Sequence, residues 1–320
     1  MLKKFEKILK KTVLAFVCLL MTVCGKRENA ARKPAETQKN AVTVVTSIFP
    51  PFDFARAVAG NRADLFILLP PGAESHSFEP TPQDIITLRK ADVFIYGGGE
   101  SDAWVRDILS SMDTGKMQII AMMDVAETVE EEIIEGMEAE KTESKEYDEH
   151  VWTSPKNAKR IVSAIAGALC KADPEYAAQF TQNAQAYLEK LGDLDRSFQS
   201  AVDAGARKII VFGDRFPFRY FADAYGLAYF AAFPGCSTNT EPSAGTVAFL
   251  IGKIRSERIP VIFHLELSNE RMADAISEET GAAKRLFHAC HNISKKDFDS
   301  GKTYLELMHQ NLQNLKEALR

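Results

Sequence analysis

The sequence predicts an α/β protein built as two Rossmann-like lobes with parallel sheets, joined by a single long backbone helix. Apolar strand-like runs alternate with helical patterns in both halves of the chain. One helical pattern of about 30 residues separates the halves, and at 1.5 Å per residue it is roughly 45 Å long. Such a helix is too long for one small lobe and suits a rigid strut between two.

The first 23 residues have the pattern of a secretory signal. Five lysines lie within Met1–Lys11, and the uncharged apolar run Thr12–Val23 is too short to cross a bilayer as a stable helix. The run ends at Cys24, in a stretch that resembles a bacterial lipobox, although Val23 stands where a small residue is usual. We therefore expect an extracytoplasmic protein, anchored to the bacterial cell membrane through a lipid on Cys24 and a flexible tether over residues 24–40. Plain signal-peptidase cleavage is the alternative.

Residues 41–172 form the predicted N-terminal lobe. Strand patterns cover 42–48, 65–69, 92–96 and 117–121, and helical patterns cover 52–59, 83–90, 104–112 and 157–171. Pro50 and Pro51 are expected to end the first strand, and the apolar run 65–69 suits a strand buried on both faces. The linking helix is predicted over 173–205, with Asp173 as its N-cap and Pro174 at its first helical position.

Residues 206–320 form the predicted C-terminal lobe. Strand patterns cover 208–212, 227–233, 261–265 and 285–288, and helical patterns cover 218–225, 243–257, 270–280 and 303–319. The two halves share a plan without a strong internal sequence repeat.

Composition restricts the classes of partner. The net charge is −5 and the mature chain carries no basic stripe, which argues against nucleic acid. Residues 127–149, here called the acidic segment, hold eleven acidic residues against two lysines. This segment has little periodicity and is predicted to be a mobile surface loop.

Histidines at strand ends are the strongest chemical signal. His76, His150, His264, His288 and His291 each lie at or just beyond a predicted strand end, whereas His309 falls among polar residues of a helix. Ligand sites in open parallel sheets form outside the carboxyl ends of the strands, and histidine is the commonest transition-metal ligand. Each could singly be an ordinary loop residue, but together they favour a metal site.

Three motifs resemble those of zinc and manganese ABC-transporter solute-binding proteins, the cluster A-I metal-binding lipoprotein family. They are PPGAESHSFEPTP at 70–82, HVWTSPKNA at 150–158 and GKTYLELMHQNLQNLKEAL at 301–319. The similarity runs from about Val42 to the end of the chain. It implies a metal bound in the cleft between the lobes, an ABC permease and its ATPase as partners, and a monomer.

The resemblance also implies the ligands, residue by residue. His76 and His150 match the first two, both from the N-terminal lobe. The third ligand in the family is a His or Glu in the loop after the first strand of the C-terminal lobe. Here that loop, Gly213–Phe221, contains no histidine, so Asp214 is the candidate; capping the next helix or pairing with an arginine is its alternative role.

The fourth ligand is expected from a late strand end of the C-terminal lobe. We rank His288 first, Glu266 second and His291 third, with a thiolate from Cys290 behind them. An imidazole in place of the aspartate of manganese-binding relatives would favour zinc, so Zn²⁺ is the expected cargo and Mn²⁺ the alternative.

Other classes of protein remain open at this point. The chain has no HExxH, Walker A or GxSxG motif, so we do not expect an enzyme. An exported zinc-dependent hydrolase is the rival, and an adhesin or metal buffer is a third possibility. A disulfide between Cys236 and Cys290 also stays open.

Overall fold

The structure is a computed structural model that describes residues 41–74, 78–137, 147–235, 237 and 242–320. Ala41–Arg320 forms one compact unit. The predicted signal, the tether with Cys24, and His76 lie outside the described residues. Within the described part of the chain, no helix has both the length and the apolar character needed to span a membrane.

A parallel sheet forms the centre of the N-terminal half. Within the described residues its strands are β1 (Val42–Thr46), β2 (Ala63–Ile67), β3 (Val93–Tyr96) and β4 (Gln118–Ala121), in the order β2-β1-β3-β4. The central strands β1 and β3 are buried, as expected for apolar runs beneath helices. The run 65–69, predicted to be buried on both faces, belongs instead to edge strand β2, where Phe66 is 44% exposed.

Five helices accompany this sheet in the described residues. They are α1 (Phe49–Ala59), α2 (Pro82–Leu88), α3 (Ala103–Ser110), α4 (Met122–Val125) and α5 (Pro155–Ala172). Helix α1 begins three residues before its predicted start, with Pro50 and Pro51 in its first turn. Proline is tolerated there because the first-turn N–H groups have no partner within the helix.

The long helix is confirmed as α6 (Ala177–Ala204), whose 28 residues span about 42 Å. A 3₁₀ turn over Pro174–Tyr176 precedes α6. The helix therefore begins at Ala177, three residues after Pro174, the predicted first helical position. Asp173 precedes this turn without a side-chain capping hydrogen bond. Helix α6 packs on α1, on α5 and on the C-terminal helix described next.

The C-terminal half is built from short parallel strand pairs. Its elements are β5 (Ile209–Val211), β6 (Arg215–Phe216), α7 (Arg219–Tyr225), β7 (Ala228–Phe230), β8 (Phe233–Pro234), α8 (Ala244–Glu257), β9 (Val261–His264), α9 (Arg271–Thr280), β10 (Ala283–Leu286), α10 (Lys295–Asp299) and α11 (Tyr304–Ala318). Among the described residues β5 pairs with β7, β6 with β8 and β9 with β10. A parallel bridge from Phe212 to Phe263 links the first pair to the third. The strand predicted over 227–233 is therefore two strands that pair with different partners.

Both halves contribute side chains to the largest apolar cluster among the described residues. A continuous cluster of buried side chains runs from Val42 to Leu319 and includes the inner face of α6. This arrangement confirms the predicted fold class, two sets of parallel strands and helices joined by one long helix. The division into lobes at 41–172, 173–205 and 206–320 stays a prediction.

The acidic segment is attached at both ends. Glu130 and Tyr147 form an antiparallel bridge, and the Asp148 amide donates to the Val129 carbonyl at 3.0 Å. Its middle, 138–146, lies outside the described residues, so the predicted mobility there stays a prediction.

Candidate metal centre

His150 leads into the 3₁₀ turn Val151–Thr153, directly after the acidic segment. Its side chain is almost fully buried, and the Asp148 carboxylate accepts from both its backbone amide, at 2.7 Å, and its Nδ1, at 3.0 Å. A proton on Nδ1 places the lone pair that a metal needs on Nε2. Burial lowers the pKa of His150, but the charge and hydrogen bond of Asp148, together with the charges of Glu149 and Glu131, outweigh it, so the pKa lies above its ordinary value.

His291, from the C-terminal half, packs against His150. The ring centroids are 5.3 Å apart and the ring planes are inclined at 79°. Two imidazoles that share a tetrahedral zinc ion, with Zn–N near 2.0–2.1 Å, have ring centres about 5.2 Å apart. The observed spacing therefore suits two nitrogens of one coordination sphere.

Trp152 holds the two histidine loops together. Its ring contacts both His150 and His291, with centroid distances of 5.4 and 5.0 Å. Its indole Nε1 donates to the Ala289 carbonyl at 2.8 Å. The tryptophan of the HVWTSP motif thus fixes the loop that carries His291.

Glu266 follows β9 and lies against the same loop. Its carboxylate accepts from the backbone amides of Ala289, at 2.7 Å, and His291, at 3.2 Å. The side chain is 10% exposed, and burial raises its pKa to about 8 despite these hydrogen bonds. A dication beside it would favour the ionised form, so binding would release a proton at neutral pH.

These groups line a cavity of about 40 Å³. Its wall includes His150, Glu266, His291, Glu74 and Arg215. In the part of the chain that the structure describes, no three His, Cys, Asp or Glu side chains are grouped so as to hold a metal. His76, the predicted first ligand, lies outside that part, although its neighbour Glu74 lines the cavity wall.

His288 lies behind this cavity rather than in its wall. Its Nδ1 accepts from the Cys290 amide at 2.9 Å and lies 3.4 Å from the Glu266 carboxylate. Its backbone exchanges two hydrogen bonds with the Asn311 side chain of α11. Burial lowers the pKa of His288 to about 3, so the imidazole is neutral.

Asp214 joins two loops. One of its carboxylate oxygens accepts from the Arg215 amide at 2.9 Å and the other from the Leu265 amide at 3.1 Å. It lines a neighbouring cavity of about 200 Å³ together with Glu270. The structure therefore does not bring Asp214 to the wall that His150 and His291 share.

Arg215 is a site residue that sequence reasoning missed. Its guanidinium Nη1 lies 3.6 Å from Glu74 of the N-terminal half and 3.5 Å from the Ser237 carbonyl. Arg215 and Glu74 both line the small cavity and its larger neighbour. The sequence does place an arginine directly after Asp214, in the loop where the resemblance implies a ligand.

Two buried carboxylates lie next to the site. Asp102 accepts from the Gly97 amide at 2.6 Å, and Glu149 accepts from the Ser101 amide at 3.1 Å. A side chain at Gly99 would place a Cβ 2.1 Å from Glu149, which explains a glycine just before the 3₁₀ turn Glu100–Asp102. Burial raises the pKa of Asp102 to about 6.

The remaining histidine and cysteine predictions have separate outcomes. His264 is buried, with Nδ1 3.2 Å from the Leu265 carbonyl, outside the cavity wall. Cys170, predicted to be a core residue, is half-buried. Cys290 is a buried free thiol, while Cys236 lies outside the described residues.

The two α/β halves on one long helix match the solved structures of ZnuA-like solute-binding proteins. A family described as "ZnuA: Zinc-uptake complex component A periplasmic" matches residues 44–318. The chain belongs to this family, which confirms the resemblance seen in the sequence.

Two individual zinc proteins are similar to this chain over nearly its whole length. The high-affinity zinc uptake system protein ZnuA of Bacillus subtilis is 30% identical over 318 residues, covering 98% of this chain and 98% of that protein. The zinc-binding lipoprotein AdcA of Streptococcus pneumoniae is 29% identical over 96% of this chain, which spans 60% of AdcA.

Solved structures share the fold. The Zn(II)-bound ZnuA-like domain of S. pneumoniae AdcA has a TM-score of 0.72 and 28% identity, covering 87% of this chain and 99% of that domain. The laminin-binding protein Lmb of Streptococcus agalactiae, described as a bifunctional protein with adhesin and metal transporting activity, has a TM-score of 0.71 and 25% identity, with 88% and 100% coverage.

Proposed function

We propose that this protein captures Zn²⁺ outside the cytoplasm and delivers it to an ABC importer. The observation that carries the proposal is the meeting of His150 and His291, at 5.3 Å between ring centroids, in a small cavity with a buried carboxylate. Membership of the zinc-uptake family supports zinc as the cargo.

The proposed ligands are the paired histidines His150 and His291, with His76 joining them from the N-terminal half. Glu266 is proposed as the fourth ligand, and it would have to move from its hydrogen bonds with the Ala289 and His291 amides to reach the same ion. In this set His291 takes the place that the sequence ranking gave to His288, because His291 lines the cavity and His288 lies behind it. Asp214 is assigned a supporting role through its two backbone hydrogen bonds.

The ligand set favours zinc over manganese. Three imidazoles and one carboxylate suit Zn²⁺, whereas Mn²⁺ prefers a larger share of oxygen ligands. Mn²⁺ remains the alternative cargo. Four protein ligands, as proposed, would fill the coordination sphere of zinc and so favour transport over hydrolysis, since a catalytic zinc keeps one position open for water.

The proposal includes the partners. An ABC permease and its ATPase would receive the metal, and a lipid on Cys24 would hold the protein, as a monomer, at the membrane surface. Mass spectrometry of membrane-extracted protein would detect the lipid, and a mature N-terminus at Cys24 without a lipid would contradict the anchor.

A competition titration with a chromophoric zinc chelator tests the central claim. Wild-type protein should bind one Zn²⁺, and His150→Ala and His291→Ala should each weaken binding at least about 100-fold, since a metal–imidazole bond and the buried geometry around it are lost. His309→Ala, an exposed histidine on α11, is the matched control and should bind as wild type. Unchanged affinity in the first two variants would refute the site.

A further inference from the structure

The Tyr220 hydroxyl joins the two ends of the acidic segment. It donates to the Asp148 carbonyl at 2.6 Å and accepts from the Val129 amide at 3.2 Å. Tyr220 lies on α7 of the C-terminal half and is 5% exposed. A single hydroxyl from one half of the protein therefore holds both the start and the end of a segment that belongs to the other half.

The segment also contacts the C-terminal half at other points. The Glu132 carboxylate accepts from the Tyr229 hydroxyl at 3.2 Å and lies 3.4 Å from Arg219. Gly136 approaches Phe249 of α8 so closely that a Cβ there would lie 2.1 Å from the ring. The described part of the segment thus follows the surface formed by α7, β7 and α8.

Asp148 connects this contact to the metal centre. Tyr220 holds its backbone carbonyl, while its carboxylate holds the amide and the Nδ1 of His150. The orientation of the His150 ring therefore depends on two successive hydrogen-bonded steps, and the first of them begins on α7.

We propose that Tyr220 is a positioning residue. Its hydroxyl couples the orientation of the His150 imidazole to the contact between the C-terminal half and the acidic segment. The inference rests on the proposed zinc site. Its physical basis is that partners beyond the ligands orient the coordinating ring, and removing one costs about 10- to 100-fold in metal affinity. Tyr220 acts through Asp148, so an effect near the lower end, about tenfold, is expected.

The test compares two tyrosines on the same helix. Tyr220→Phe removes the hydroxyl that holds Asp148. Tyr225→Phe removes a hydroxyl that donates to Asp195 of α6 at 3.0 Å, away from the cavity. Both variants keep the aromatic ring and lose one largely buried hydroxyl, so their melting temperatures should fall by similar amounts.

Metal binding should separate the two variants. Zn²⁺ affinity, measured by chelator competition, should fall about tenfold in Tyr220→Phe and stay at the wild-type value in Tyr225→Phe. The absorption bands of bound Co²⁺, which report ligand geometry, should change in Tyr220→Phe alone.

Equal affinities and Co²⁺ spectra in the two variants would overturn the positioning role, whether both weaken or neither does. Wild-type protein that binds neither Zn²⁺ nor Co²⁺ would instead refute the proposed function. The two failures are therefore distinguishable.

Discussion

Replacing Asp148 with asparagine tests how the metal centre is prepared for binding. The carboxylate oxygen accepts from the His150 amide at 2.7 Å and from Nδ1 at 3.0 Å, in a site where Asp148 itself is 1% exposed. Asparagine keeps the size of the side chain but removes the charge. It can also present its NH₂ group to Nδ1, which would place the proton on the wrong nitrogen for zinc.

The expected loss follows from these contacts. Hydrogen bonds to charged groups contribute about 1.5–3 kcal/mol each, and the one between the carboxylate and the His150 ring should be lost. Each 1.4 kcal/mol is a factor of about ten, so zinc affinity at pH 7.5 should fall about 10- to 100-fold. Changes of this size are typical for partners that orient a metal-binding histidine.

The pH dependence gives a second measure with a definite sign. In wild type the pKa of His150 lies above 6.5, so protons should already compete with zinc as the pH falls through that raised value. Without the Asp148 charge, burial should lower the pKa of His150, and proton competition should move to lower pH. For the metal-free protein, the stability from the charged pair is fully present below pH 6.5 and is lost as the pH rises through the raised pKa.

Chelator-competition titrations between pH 5.5 and pH 8 would measure both effects, on the order of one decade or more in affinity. Asp195→Asn is the matched control, because it removes one charge on α6 where Lys159 and Tyr225 are its partners. Wild-type affinity and pH dependence in Asp148→Asn would show that the carboxylate does not prepare His150.

Three further predictions concern other groups around the site. In competition titrations His291→Ala should nearly abolish zinc binding while His288→Ala weakens it less, because His288 lies behind the cavity; the reverse order would restore His288 as the ligand. Arg215→Gln should tighten binding by about 0.5–1 kcal/mol at low salt, because a guanidinium facing the cavity repels a dication; weaker binding would mean that the Glu74 ion pair matters more. Asp102→Asn should stabilise the protein above pH 6 by up to about 3 kcal/mol. The stability from neutral Asp102 is fully present below its ordinary pKa of 3.8 and is lost as the pH rises through about 6, so the gain should vanish near pH 4 in thermal unfolding.

The periodic features of the fold could be predicted from sequence because they depend on local patterns. Alternating strands and helices and the long helix α6 were all predicted, since apolar spacing reports which faces are buried. The place of β2 at a sheet edge could not be predicted, because strand order depends on contacts between distant segments. The start of α1 was missed because proline is equally suited to ending a strand and to the first turn of a helix.

Candidate-site residues could be predicted where they stand in a recognisable motif. They could not be predicted where a backbone turn decides which side chain reaches the cavity. His150 stands in a recognisable motif, and its place in the cavity wall follows from the turn before α5. The orientations of His288 and His291 depend on Cys290, whose φ of 60° is left-handed and rare for a residue with a side chain. That turn separates the two imidazoles, and the residue identities alone do not indicate it.

Helix α11 is held at its first residue by a carboxylate from α1, far earlier in the chain. Asp53 of α1 accepts from the Tyr304 amide at 2.8 Å, at the first residue of α11, across 251 positions. Helix α11 in turn supports the loop of His288 through Asn311. The proposed metal ligands all precede α11 in the sequence, so the loop of His288 and His291 should reach its final position only after this last helix has packed against α1.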